Sequence, residues 1–286
     1  MNDIIPLHVR QENGPGGLPV LRITNALGQA EVLLHGAHVL SFQPVGAAPV
    51  LWLSARSPFA DGKAVRGGVP VCWPWFGPDP RAMHGFVRYR SWKLAEAAQL
   101  ADGRTRVVLA LTDDEATRAM WPHAFRLELA VTVGRELDLA LTATNTGDEP
   151  WSWRGALHTY FAVPDVRRTT IEGLEGCAYI DAPSTGGVTN AVQNGPVDFK
   201  AEVNRRYLER DRVLILNDGT RRIRVTKSGS NASVVWNAGA ESAAKMPEIG
   251  DLWPGYVCIE AAVCGEGRVD LLPGCASTLR QTIAVE

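Results

Sequence analysis

Three short segments of this 286-residue chain carry side chains with chemistry to do. The first, residues 65–88 (VRGGVPVCWPWFGPDPRAMHGFVR), holds Arg66, His84 and Arg88 in a stretch too rich in proline and glycine for a helix or a central strand. Ordered loops of this kind, carried on a rigid scaffold, are where binding groups are usually displayed. Two planar guanidiniums suit a phosphate or a carboxylate. The second segment, residues 154–163 (RGALHTYFAV), sets His158 in an apolar run; the third, residues 255–263 (GYVCIEAAV), does the same with Glu260. Glutamate is almost never fully buried unless paired, because its charge loses water or its pKa rises. Glu260 must therefore face a polar cleft or a partner. An imidazole, a carboxyl group and an anion clamp together supply what acid–base chemistry on a small molecule needs. Each alone also has a plainer explanation: solvated loop arginines, a core histidine bonded to backbone, an edge-strand or ion-paired glutamate.

The elements that must position these groups are strands. Phe125, Leu127, Leu129, Val131 and Val133 alternate with polar or small residues, a Gly134-Arg135-Glu136 break follows, and Leu137, Leu139 and Leu141 resume the alternation. Period two of this kind predicts half-buried antiparallel strands. Residues 106–112 alternate likewise. Residues 213–216 and 223–226 flank Asn217-Asp218-Gly219, a tight-turn signal. Residues 21–24 and 31–42 flank a further hairpin candidate at residues 25–28. Helical pattern is confined to one or two turns at residues 113–120, with Thr112 or Asp113 as cap. No linker, repeat or βαβ unit divides the chain. The expectation is an all-β, large antiparallel β-sandwich in a single domain over residues 1–286.

Composition narrows the function. A 45% hydrophobic content is enough for a sizeable core, and a formal charge of −2 with the signs interspersed gives no nucleic-acid footprint. No apolar run approaches the roughly 18 residues of a membrane span. The start, MNDIIPLHVRQENGPGG, lacks the basic and apolar regions of a signal peptide. Five scattered cysteines (Cys72, Cys177, Cys258, Cys264, Cys275) with no C-x-x-C pair fit reduced thiols of a cytoplasmic protein, with no zinc site. The glycines at residues 14–17 open no dinucleotide fingerprint, so neither nicotinamide nor flavin is expected. A monomer without cofactor or metal is the simplest expectation.

Taken in order, VRGGVPVCWPWFGPDP, MHGFVR, ALHTYF, EGCAYID and GYVCIEAA resemble the hexose-6-phosphate mutarotases, within the aldose 1-epimerase (galactose mutarotase-like) superfamily. The match runs from about residue 30 to residue 262 and includes Leu51-Trp52-Leu53-Ser54 and Val235-Trp236-Asn237. The resemblance implies a galactose mutarotase-like supersandwich and interconversion of the anomers of glucose 6-phosphate. It makes His158 the general acid and Glu260 the general base, puts Arg66 and Arg88 on the phosphate, and sets His84 beside them. It also implies a carboxylate on the sugar hydroxyls from a segment that often reads E-V-D-R. Here that segment is Glu202-Val203-Asn204-Arg205, so Asn204 takes the position, able to accept and donate but uncharged. Of nine tryptophans, Trp73 or Trp75 is expected near the site.

Three other readings stay open. A mutarotase of unphosphorylated aldoses would share the acid and base without needing the clamp. A non-catalytic carbohydrate-binding sandwich would not need Glu260. A glycoside hydrolase or lyase would need a second carboxylate that the sequence does not obviously supply.

Overall fold

The structure, a computed structural model, describes residues 8–184 and 186–286. Residues 1–7, part of the segment from which the lack of a signal peptide is expected, lie outside the described residues. Two eight-stranded sheets dominate, and every strand pairing within them is antiparallel. One, called here the back sheet, runs Thr170–Glu172, Leu214–Asn217, Arg222–Ser228, Ala276–Val285, Glu136–Asn145, Phe125–Val133, Thr105–Thr112 and Lys93–Gln99 across its width. The other, the site sheet, runs Thr189–Val192, Ala178–Asp181, Val203–Tyr207, Ala232–Asn237, Tyr256–Val263, Gly155–Leu157 and Val71–Cys72, with Tyr160–Ala162 also paired to Tyr256–Val263. A four-stranded sheet from the N-terminal third and a two-stranded one, Trp151–Trp153 with Val269–Leu271, complete the packing. This is the expected all-β sandwich.

Side-chain alternation builds the core between the two large sheets. Val257, Ile259, Ala261 and Val263 of the site sheet pack with Leu127, Leu129, Leu139, Leu141, Leu279 and Ile283 of the back sheet, all essentially buried. Each such aliphatic side chain contributes about 1.5–3 kcal/mol on burial. A one-residue slip would drive Glu260 into that layer, so the register is strongly enforced. The even-numbered residues of the same strand, Glu260 included, are thereby held on the opposite face.

Local departures from expectation have physical causes. Residues 31–42 form parts of two strands, Gly28–Leu33 and His38–Pro44, because Gly36 (φ 75°) and Ala37 (φ 48°) reverse the chain between them. The turn at Asn217-Asp218-Gly219 is longer than expected: Asn217 pairs with Arg222, and Asp218 accepts from the N–H groups of Thr220 and Arg221 inside the loop. The expected helix is Glu115–Met120, capped by Asp114, whose side chain accepts from Thr117 N at 2.7 Å, and a second short helix, not expected, spans Gly239–Ala243. Asp113 is unavailable as cap, since it accepts from Phe125 N and pairs with Arg118.

Candidate active site

Register alone sets His158 against Glu260. Leu157 pairs with Ala261 and Tyr160 with Cys258, so the residues between them place His158 opposite Glu260. Directly opposed antiparallel residues share a face, with Cβ atoms about 4.5–5.5 Å apart. The side chains meet: His158 Nε2 lies 3.3 Å from Glu260 Oε1. His158 is held by its own N–H, which donates to Pro70 O, and by Tyr160, whose ring stacks on the imidazole at 4.9 Å and 11°. The neighbouring Thr159 turns the other way and donates to buried Gln281, which donates to Ile259 O. The row continues across the sheet through Val234, opposite Glu260, to Arg206 and Ile180. One step along the strands, a second row reads Tyr160, Cys258, Trp236 and Asn204.

The loop of residues 61–68 and the segment of residues 77–88 close over this face. Arg66 N donates to Ser57 Oγ, and its guanidinium donates to the Tyr160 hydroxyl at 3.1 Å. Two buried histidines hold the backbone on either side of Arg66: His35 Nε2 lies 2.8 Å from Lys63 O, and His38 Nε2 lies 2.7 Å from Gly67 O. Burial pushes His38 down to about 3, so its imidazole is neutral and Nε2–H is the donor. Glycine is required at Gly68 (φ 60°), where a Cβ would fall 2.2 Å from Val39 O, and at Gly85 (φ 76°), where it would fall 1.8 Å from Trp73 O. His84 adopts φ 61°, uncommon without glycine, and exchanges two bonds with Gly77: its N–H donates to Gly77 O, and Gly77 N–H donates to His84 Nδ1. Burial, with Arg88 and Arg66 adding to it, lowers His84 to about 3, leaving a neutral ring whose proton sits on Nε2.

The result is a cleft of about 610 Å³ lined by Arg66, His84, Arg88, His158, Asn204 and Glu260, the site residues expected from the sequence, together with other side chains. Glu260 is 1% exposed and His158 8%. Burial drives the Glu260 carboxyl well above the ordinary carboxylate value, with Arg88 pulling it back. Burial likewise drives His158 well below its ordinary 6.5, with His84, Arg88 and Arg66 adding to the fall. This reverses the small upward shift of His158 that an imidazolium donor implies: burial favours a neutral imidazole beside a carboxylic acid. The cleft's arginines are unusual too. Among the described residues Arg66, Arg88 and Arg206 pair with no carboxylate, and Nε of both Arg88 and Arg206 is buried without a hydrogen-bond partner. Asn204 Nδ2 is committed to Ala182 O at 2.8 Å.

Two expectations need correction. Trp73 is fully buried against Trp121 and Phe125, and Trp75 packs on Phe86 under Arg81, so the cleft takes its aromatic walls from Phe76, Tyr89 and Trp236 instead. A second carboxylate does line the cleft, Glu202, but it accepts from Ser184 N, Ser184 Oγ and Ser242 Oγ. Glu202 and Arg206 were both missed, although period two around Asn204 puts all three on one face. Among the described residues no cluster of three or more His, Cys, Asp or Glu side chains could hold a metal ion, and no helix is long and apolar enough to cross a membrane.

Known proteins share this chain's sequence and shape. The aldose 1-epimerase family model matches residues 19–284. A protein named "putative glucose-6-phosphate 1-epimerase" from Escherichia coli (strain K12) is 36% identical over 244 residues, 83% of this chain and 81% of its own. One of the same name from Cenchrus ciliaris is 34% identical over 257 residues, 86% of this chain and 78% of its own. The crystal structure of a "putative mutarotase" from Salmonella typhimurium superimposes with a TM-score of 0.90 at 32% identity, covering 99% of this chain and 95% of that one. A galactose mutarotase-like protein from Clostridium acetobutylicum, at 14% identity, shares the fold, with a TM-score of 0.77 over 97% of this chain and 98% of that one. The chain belongs to the aldose 1-epimerase family and is an isomerase with the galactose mutarotase-like fold.

Proposed function

We propose that the cleft interconverts the α and β anomers of hexose 6-phosphates, glucose 6-phosphate first among them. The observation that carries this reading is the buried His158–Glu260 pair, in contact at 3.3 Å, in a cleft whose arginines lack carboxylate partners among the described residues. Its similarity to proteins named glucose-6-phosphate 1-epimerase supports the same substrate class. Arg66 and Arg88 hold the phosphate, whose charge supplies what these guanidiniums lack within the protein. His84 donates from Nε2 nearby, and Asn204 meets a ring hydroxyl.

The chemistry balances with one proton on the pair. Ring opening breaks C1–O5: Glu260 takes the O1 proton as the carbonyl forms, and His158 gives a proton to O5. Rotation about C1–C2 turns the aldehyde over. Reclosure returns a proton to O1 and takes one from O5, so the pair ends as it began. A neutral imidazole with a carboxylic acid and an imidazolium with a carboxylate hold the same number of protons. Burial favours the first; passing one proton across the 3.3 Å gap gives the second, in which His158 is the acid and Glu260 the base. Each positioned transfer supplies about 10²- to 10⁴-fold.

The test is equilibration of freshly dissolved anomers, followed by polarimetry against the spontaneous rate, on glucose 6-phosphate and glucose side by side. Acceleration of the phosphosugar well beyond that of glucose is expected; equal acceleration turns the reading to an epimerase of free aldoses. The pH profile of kcat/KM on glucose, which has no phosphate to titrate, should place the acid limb below the ordinary histidine value of 6.5 and the alkaline limb above the ordinary carboxylate value of 4.5. These limbs belong to the pair as a unit. A hydrolase is disfavoured because the second carboxylate of the cleft, Glu202, is already engaged by Ser184 N, Ser184 Oγ and Ser242 Oγ, whereas inversion needs a carboxylate free to activate water.

A further inference from the structure

We infer that Arg206 binds the substituent at C2 of the sugar and makes that carbon a point of selection; this rests on the anomerase reading above. Arg206 stands on the site sheet in the row of His158 and Glu260, one strand beyond Val234. At about 4.8 Å per strand its backbone lies roughly 10 Å from that of Glu260. Arg66 and Arg88 lie on the other side of the pair: Arg66 donates to Tyr160, and Arg88 bears on His158 and Cys72. The spatial order across the cleft is therefore clamp, acid–base pair, Arg206. The covalent order along a hexose 6-phosphate is the C6 phosphate, O5, C1, then C2. Laying one on the other with O5 and O1 at the pair points the C2 substituent towards the strand of Arg206, whose guanidinium packs beside Gly265.

The Arg206 side chain suits that task. Its Nε is buried with no hydrogen-bond partner, whereas its neighbour Arg205 is paired with Asp181 at 2.8 Å. A buried donor left unmade costs stability, and an oxygen acceptor from a ligand removes that cost. Arg206 also lines a second cavity of about 330 Å³, which it and Ile180 share with the main cleft, so the guanidinium is reachable rather than sealed in the core. Its fixed charge accepts a hydroxyl oxygen as partner, offers nothing to a C2 hydrogen, and repels a C2 ammonium. The chemical class selected is a hexose phosphate with an oxygen at C2, over its 2-deoxy and 2-amino counterparts.

The experiment compares wild type, Arg206→Ala and Arg206→Lys on glucose 6-phosphate, 2-deoxyglucose 6-phosphate and glucosamine 6-phosphate. Each combination is read as kcat/KM above the spontaneous rate and as affinity by calorimetry, with thermal unfolding to show that each variant is folded. Wild type should prefer glucose 6-phosphate over both analogues. Arg206→Ala should lose roughly tenfold or more on glucose 6-phosphate, the equivalent of one charge-assisted bond. It should lose less than about threefold on the 2-deoxy sugar, the remainder once that bond's partner is gone, and gain relative activity on the 2-amino sugar. Arg206→Lys, which keeps the charge, should still discriminate against the ammonium. Equal losses on all three phosphosugars would assign Arg206 to the phosphate or to the scaffold, and no loss on any would leave it without a ligand role; either overturns the inference. Failure of the anomerase reading looks different: wild type would then accelerate none of the three, while calorimetry would still report whether Arg206 discriminates at C2.

Discussion

The outward face of the back sheet and the cleft-lining face of the site sheet are built from the same alternation, yet they treat charge in opposite ways. On the back sheet arginines meet acids: Arg280 with Asp138, Arg224 with Glu136, Arg222 with Glu172, Arg106 with Glu96, Arg126 with Glu128. These pairs are largely exposed, where water screens them and each is worth little. Over the site sheet the guanidiniums of Arg66, Arg88 and Arg206 have no acid among the described residues, and the deeply buried carboxyl group of Glu260 faces an imidazole. A protein stabilised by its charges would arrange them in the first way. Unbalanced charge and a strained proton equilibrium in a cleft mark a surface shaped for something it does not itself contain.

The largest effects should come from breaking the pair. Glu260→Gln and His158→Ala should each lower kcat by about 10²- to 10⁴-fold, as loss of one positioned proton transfer does. Glu260→Gln should also be the more stable protein, and the sign follows from the direction of the shift. Burial raises the folded pKa of Glu260 above its ordinary 4.5, so the folded chain keeps a proton that the unfolded chain releases. The associated stability is present below the unfolded value and lost as pH rises through the folded one. The glutamine variant escapes that loss, so its Tm advantage should widen from acid to neutral pH. His158 runs the other way: its lowered pKa contributes stability above 6.5 that is lost as pH falls through the folded value. A glutamine variant that is inactive and also less stable at every pH would make the carboxyl a scaffold group.

Removing the clamp comes next. Arg66→Ala should cost about 1.5–3 kcal/mol, roughly 10- to 150-fold in kcat/KM, on glucose 6-phosphate, with any activity on glucose nearly intact. Arg88→Ala should be less clean, because Arg88 also draws the Glu260 pKa down and its loss should disturb both sugars. Equal loss on both sugars from Arg66→Ala would remove that residue from the phosphate. A milder version loosens the clamp without touching it. His38→Ala leaves the buried Gly67 carbonyl without its donor, a penalty of about 1–3 kcal/mol, and should raise KM for the phosphosugar while sparing kcat. His38→Gln, with an amide donor, should recover part of the affinity; uniform loss of kcat would place His38 elsewhere in the chemistry.

The same contrast explains what the sequence made legible. Back-sheet strands such as Phe125–Val133 and Glu136–Asn145 are long, with one face buried and one wet, so their period is plain. The central strand of the site sheet, Tyr256–Val263, is buried at every position, which erases alternation. Glu260 could be singled out because a charge in such a strand breaks the pattern. Arg206 could not, since it sits in Val203–Tyr207 among exposed-looking polar residues with no apolar run to interrupt. His35 and His38 were silent for another reason: they act on backbone carbonyls about thirty residues away, and no spacing rule reports that. Trp73 misled because a bulky aromatic beside a glycine-rich loop serves the core as readily as a ligand.

The smallest effect tests the other half of the contrast. Arg280 and Asp138 form a 2.9 Å pair on the back sheet, with the arginine side chain 49% exposed. Holding two long side chains together costs entropy, and water at this surface offsets most of the attraction. Arg280→Ala should therefore cost about 0.2–1 kcal/mol of stability, by thermal or denaturant unfolding, and that cost should shrink in high salt. Anomerisation and its pH profile should not change, because only the inward neighbours Leu279 and Gln281 reach the layer beneath the site, where Gln281 supports Ile259 and Thr159. A loss of activity from Arg280→Ala comparable to that from Arg66→Ala would mean that charge on the two faces is coupled through the core, and the division of the molecule into a balanced face and an unbalanced one would fail.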